Sequence, residues 1–295
     1  DNSSFPLSFG VKYYFKMRVL TLPGGGSEYK LRVWQANQTE PATWLLQGTQ
    51  SAASDPPYGC LLLAAHHVNA RFGNVTITPM NSRANIKAFL QGPYSPAGDS
   101  LKTNLRGVLP LTQPYSVAPW SYAGVESVAT IPDSVVDWVL LELRTDTTSA
   151  SKVGTRAAFI KRMGAIVDTD GVSQVNFNGV PPGNYYVVVR HRNHLAVMTS
   201  SAIPLGSGSS ALYSFTTGQS QAFGTTPMLQ IGSSYLLYAG DADGSGTVSS
   251  SDAAHVFTNI NSTAYLPGDT NMSGIVTSAD AGMVFVNLNK NSQVP

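Results

Sequence analysis

Residues 240–261 and 268–289 superimpose at a spacing of 28, and this duplication constrains the C-terminal end of the chain more tightly than any other feature. Identical pairs include Gly240/Gly268, Asp241/Asp269, Ser245/Ser273, Gly246/Gly274, Val248/Val276, Asp252/Asp280, Phe257/Phe285 and Asn261/Asn289. Each copy spaces oxygen-bearing residues along a short loop. In loop one, Asp241, Asp243 and Ser245 take positions 1, 3 and 5, Gly246 turns the chain at 6, Thr247 offers its carbonyl at 7, Ser249 is placed to hold a water at 9, and Asp252 closes at 12. Loop two repeats this with Asp269, Asn271, Ser273, Gly274, Ile275, Thr277 and Asp280. A hard cation such as Ca²⁺ takes six to eight oxygens at about 2.3–2.6 Å, and alternate side chains of a tight loop converge on one point. Two Ca²⁺ sites are therefore expected. Loop one, with three carboxylates, should be the tighter; loop two has two carboxylates and Asn271. Val248 and Val276, at position 8, are expected to join the two loops through a short β-contact. A metal-free loop held by side-chain turns is the simpler alternative, and repetition in register argues against it.

These residues resemble a type I dockerin, a duplicated calcium module that binds cohesin domains. The resemblance covers about 50 residues. Asp rather than Glu at position 12 and no helix leading into the loop fit a loop–helix F-hand. The resemblance places partner recognition on Ser250, Ser251 and Ser278, beside Phe257 and Phe285. Thr258 and Val286 stand where such modules usually carry a basic residue.

Upstream the pattern is β throughout. Residues 1–80 read as an N-terminal β-region with strands at Val11–Leu20, Tyr29–Ala36, Thr43–Leu46, Cys60–Val68 and Val75–Thr78. Turn clusters such as Asp55-Pro56-Pro57-Tyr58-Gly59 separate them. Residues 85–230 read as a Greek-key sandwich, with a long apolar strand at Val135–Leu143. In Val180-Pro181-Pro182-Gly183-Asn184-Tyr185, a Pro-Gly turn precedes an early strand tyrosine. This is the pattern of a tyrosine corner, whose hydroxyl bonds back to the turn, and Tyr185 is its candidate. The fold class expected is mainly β: two sandwich-like regions, then a small α-helical calcium module over 238–291. Strings such as Lys87-Ala88-Phe89-Leu90-Gln91-Gly92 and Gly183-Asn184-Tyr185-Tyr186-Val187-Val188 resemble a prealbumin- or Cna-like module of secreted Bacteroidetes-type surface proteins. That resemblance implies a cell-surface location and supplies no reaction.

Charge and motif content narrow the function. The net charge of +1 and a charged fraction of 12% offer no field for nucleic acid or anionic membrane. No apolar run reaches the ~18 residues of a membrane span. Asp1 as first residue suggests a removed signal peptide, hence secretion from a bacterium. Cys60, the single cysteine, lies in an apolar run and reads as buried. No GxSxG, HExxH or phosphate-loop motif occurs, and Glu28, Glu40, Glu126 and Glu142 are the only glutamates, so no enzyme is expected. His191 and His194, read as three apart on one strand, should face oppositely, as should His66 and His67. The first pair is expected to sit in a polar rim. His255 reads as a surface residue on the first helix. Glu142 is expected to face solvent. Trp120 and Tyr122 form the one candidate sugar platform, and Trp138 should be core.

The expected function is a secreted, calcium-stabilised structural subunit of an extracellular fibre or surface assembly. Phe5, Leu7 and Phe9, at a period of two, would form an assembly strand that completes the edge of a neighbouring copy in a head-to-tail polymer. Pairing of these residues within their own chain is the alternative. A dockerin-bearing adhesin component, with a cohesin-like scaffold or a glycan as partner, is the other functional expectation.

Overall fold

The computed structural model describes residues 5–21, 26–51, 53–54, 70–77 and 80–295. Cys60, the expected strand Cys60–Val68 and the His66–His67 pair lie outside the described residues. The chain divides into two compact units, Asp1–Thr78 and Pro79–Pro295.

In the first unit β1 (Tyr13–Thr21), β2 (Ser27–Gln35) and β3 (Leu46–Gln50) form an antiparallel sheet in that order. Strand alternation sorts its faces. Phe15, Met17 and Val19 stand opposite Val33, Leu31 and Tyr29, while Lys16 and Arg18 stand opposite Arg32 and Lys30. Glu28 pairs with Arg18 and Lys30, and Glu40 with Lys16 and Arg32; the Arg32 guanidinium lies 4.1 Å over Trp44. Two facing sheets were expected here, but the described residues hold one. Val75 and Ile77, expected in a strand, are exposed and unpaired into any sheet, since nothing buries their alternation. Phe5, Leu7 and Phe9 form no strand within their own chain either. Phe5 packs edge-on against Tyr13, and the chain turns at Phe9–Gly10, leaving Leu7 and Phe9 exposed.

The second unit is built from β4 (Asn81–Ala84), β5 (Ile86–Lys87), β6 (Tyr94–Ser95), β7 (Ser100–Leu101), β8 (Val135–Arg144), β9 (Lys152–Lys161), β10 (Ala165–Val167), β11 (Val175–Asn178), β12 (Gly183–His191), β13 (His194–Met198), β14 (Ile203–Leu205), β15 (Tyr213–Ser214), β16 (Leu229–Ile231) and β17 (Ser234–Leu236). Two helices follow, α1 (Ser250–Thr258) and α2 (Ser278–Val286). The main sheet runs β13-β12-β8-β9-β10-β5-β15, with β14 also on β12, and β4/β11 form a separate ribbon. All residues of β8 are buried; seven of the ten are apolar, and Asp137, Glu142 and Arg144 are the charged exceptions. Trp138 sits at the centre, 4.1 Å from the Phe159 ring, with its Nε1 donating to the Pro110 carbonyl. Phe177 of β11 lies over Gly154 of β9, where a methyl group would approach its ring to 3.2 Å. The Tyr185 hydroxyl donates to the Pro181 carbonyl at 2.7 Å, as the corner pattern predicts.

Among the described residues the chain is thus mainly β, with several sheets and two short α-helices. Among the described residues no helix is long and apolar enough to cross a membrane.

Candidate metal centres

Each helix is started by the residue expected to hold a water. Ser249 and Thr277 are N-caps, and in both cases the aspartate three residues on reaches back to complete a capping box. Asp252 and Asp280 therefore have fixed side chains. One oxygen of Asp252 accepts from Ser249 N at 2.8 Å and the other from Asp243 N at 3.0 Å. Asp280 does the same with Thr277 N at 2.8 Å and Asn271 N at 2.9 Å. Across each loop Asp241 accepts from Gly246 N at 3.2 Å, and Asp269 from Gly274 N at 2.8 Å. Gly246 and Gly274 have φ of 83° and 93°, the left-handed region that favours glycine. Ser245 and Ser273 turn their hydroxyls to the carbonyls of Thr247 and Ile275, at 3.2 and 3.0 Å.

The result in loop one is a cluster in which one carboxylate oxygen each of Asp241, Asp243 and Asp252 lies within 4.8 Å of the others. Burial, reinforced by the charges of Asp252 and Asp243, pushes the Asp241 carboxyl up to about 7. Burial also raises Asp252. It works against ionised Asp243 too, but hydrogen bonds from Ser251 and Ser245 outweigh it and hold that carboxyl below its usual value. In loop two, burial raises Asp269 against the bonds from Gly274 and Ser273 and the nearby Arg192 charge. Oxygen-only donors, converging and short of positive charge, fit a hard divalent cation of the calcium type.

Val248 and Val276 do not pair with each other, contrary to the expected β-contact. Val248 exchanges backbone bonds with Asn289 and Lys290, which follow α2; Val276 does so with Asn261 and Ser262, which follow α1. Each loop is closed by the tail of the other copy. Both valines point into one small core with Ala253, Val256, Ala281 and Val284, joined by Leu195 and Tyr238 from outside the repeat.

The expected recognition residues fall into two groups. Ser250, Ser278, Phe257 and Phe285 are exposed, and the two phenyl rings meet at 6.5 Å. The Ser251 hydroxyl instead donates to Asp243 at 2.7 Å, tying it to the loop.

A buried polar network beneath the loops was not foreseen. Arg192-Asn193 is the turn of the β12–β13 hairpin, so His191 and His194 stand opposite each other rather than along one strand. Their rings lie 4.8 Å apart and are fully buried, which corrects both the opposite-face and the polar-rim expectations. Asp137 receives His191 Nε2 at 3.2 Å, Arg192 Nε at 3.0 Å and the Tyr265 hydroxyl at 2.6 Å. Burial opposes the Asp137 charge, but Arg192 and His191 hold its carboxyl below the ordinary value. Burial lowers His191, and lowers His194 further with help from the His191 and Arg192 charges. The available signal was Asp137 itself, a charge inside an apolar strand, which demands a buried partner.

Other expectations are corrected here. Glu142 is buried rather than solvent-facing, because Arg190 (2.9 Å) and Arg144 (3.0 Å) neutralise it. Trp120 and Tyr122 do not form an open platform: Trp120 packs edge-on against Tyr115 at 5.2 Å, and Tyr122 donates to Glu126 at 2.7 Å. His255 is exposed on α1.

No family model matches the chain, and no curated protein does. In structure it is similar to a chain of the Coh3ScaB-XDoc_M2ScaA complex, a C-terminal interface mutant of a type II cohesin–X–dockerin complex from Acetivibrio cellulolyticus. That match has 12% identity and a TM-score of 0.37, covering 72% of this chain and 97% of the other. The corresponding N-terminal interface mutant complex matches at 13% identity and a TM-score of 0.32, covering 73% and 97%.

Proposed function

We propose that residues 238–291 form a dockerin-like, duplicated F-hand module that takes up two Ca²⁺ ions and presents α1 and α2 to a cohesin-like scaffold protein. The convergence of Asp241, Asp243 and Asp252 within 4.8 Å carries the calcium half of this reading. Asp241, Asp243, Ser245, the Thr247 carbonyl and Asp252 would hold one ion. Asp269, Asn271, Ser273, the Ile275 carbonyl and Asp280 would hold the other. Calcium supplies no reaction here: it neutralises the carboxylates and locks the loops, and the chain acts as a non-catalytic tether exported to the bacterial surface. The exposed Phe257/Phe285 pair supports the partner half, since half-exposed aromatics brought together on two helices make an apolar anchor.

Calorimetric unfolding with calcium and with EDTA tests the metal sites, because a ligand bound only by the folded state raises Tm by mass action. An unchanged Tm would remove the calcium assignment. Ser250→Asp with Ser278→Asp puts charge beside the phenylalanine pair and should abolish scaffold capture, leaving calcium uptake intact. A second reading, head-to-tail polymerisation through Phe5, Leu7 and Phe9, draws support from the 91% exposure of Phe9. Removing residues 1–10 should then yield folded monomers by light scattering, and polymers that persist unchanged would eliminate it.

A further inference from the structure

Asn193 lies outside the repeat yet touches the entry to both loops. Its carbonyl accepts from Gly240 N at 2.9 Å, one residue before Asp241. Its Nδ2 donates to the carbonyl of Asp269 at 2.8 Å and to that of Pro267 at 3.0 Å. The orientation of this amide follows from its neighbours. Gly92 N–H donates to His194 Nε2 at 3.0 Å, so the ring proton is on Nδ1. That Nδ1–H donates to Asn193 Oδ1 at 2.8 Å, which leaves the amide nitrogen facing the two loop carbonyls. The turn is held from below as well. Arg192 donates to the Leu266 carbonyl and stacks 4.3 Å over Tyr265, while Leu195 N donates to Tyr238 at 2.9 Å. One hairpin turn thus holds the backbone of Gly240, just before position 1 of loop one, and of Asp269 at position 1 of loop two.

We propose that Asn193 couples the two calcium loops, so that filling one raises the affinity of the other; this rests on the calcium reading above. An ion in loop one would fix Asp241 and, through Gly240, the backbone that Asn193 holds, and Asn193 would pass that order to the Asp269 carbonyl. The second ion then meets a loop already ordered and loses less conformational freedom on binding. Linkage makes the effect reciprocal.

The test is calcium titration by isothermal calorimetry on the full chain and on Asp241→Ala, each with native Asn193 and with Asn193→Ser. Thermal unfolding in EDTA checks that each variant folds. With Asn193 present, Asp241→Ala should weaken loop two on the order of fivefold or more. With Asn193→Ser, loop-two affinity should be the same whether or not Asp241 is replaced. Asn193→Asp, equal in shape but without the Nδ2 donor, serves if the serine variant unfolds. Unweakened loop-two binding in Asp241→Ala, or undiminished coupling in the Asn193 variants, overturns the proposal. A native chain that takes up no calcium overturns the calcium reading together with the coupling, whereas binding without coupling removes the coupling alone.

Discussion

Loops one and two share one hydrogen-bond skeleton and differ in what fills it. Loop one has three carboxylates in a cluster and a glycine at position 4, against which the Pro119–Trp120 loop leans, with Pro119 Cγ 2.8 Å from where a Gly244 methyl would be. Loop two replaces the middle carboxylate by Asn271 and places Met272 at position 4. Met272 accepts a left-handed φ of 56° and is 1% exposed, embedded in the main core. One loop carries charge and the other carries packing. The difference teaches that a repeat alike in backbone bonding can divide its work: loop two joins the module to the sheets, and loop one gathers the carboxylates.

Replacing what both loops share should have the largest effect. Asp137→Ala leaves Arg192 buried without its counter-charge, and should cost about 3–5 kcal/mol in urea unfolding, erasing the difference between the loops by loosening both. Next, Met272→Ala should cost about 2–4 kcal/mol, with loop-two calcium affinity falling more than loop one's in a two-site titration. Equal losses at both loops would contradict the division of work. Asn271→Asp gives loop two a third carboxylate and should raise its calcium affinity several-fold, bringing the two sites together in the titration.

A pH slope is expected as well. The Asp241 carboxyl is raised to about 7 in the folded chain, against about 3.9 in an unfolded one. Between those values the folded state binds the extra proton, so stability without calcium falls as pH rises from about 4 to 7. In EDTA, Tm at pH 5 should exceed Tm at pH 7.5, and saturating calcium should remove or reverse that order. Asp241→Asn should reduce the slope.

The sequence already exposes the longer strands of the main sheet and the spacing of both loops, because each rests on local pattern, whereas the three-residue β10 and β14 carry no pattern of their own. The all-buried β8, the corner at Tyr185 and the Asp/Ser/Gly spacing of 241–252 all depend on residues near one another in the chain. What escaped depends on distant ones. Spacing along one strand does not show the two-residue turn that brings His191 against His194. Alternation places Glu142 toward solvent because it cannot anticipate Arg190 arriving from the next strand. The closing of each loop by the other copy's tail was invisible for the same reason: Val248 and Val276 have the same sequence surroundings, and only the crossing of the chain decides which strand each meets.

That crossing sets an order of events for a chain made from its N-terminus onward. Asn261 and Ser262, which close loop two, have already emerged when Ile275 and Val276 arrive, so loop two is complete as soon as α2 can form. Loop one must wait for Asn289 and Lys290. The copy synthesised first is therefore the one finished last, its Val248 backbone bonds waiting until the end of the second copy folds back. A chain interrupted after α2 would own a finished packing loop and an unfinished charged one, making the first loop the report that the whole repeat has been made.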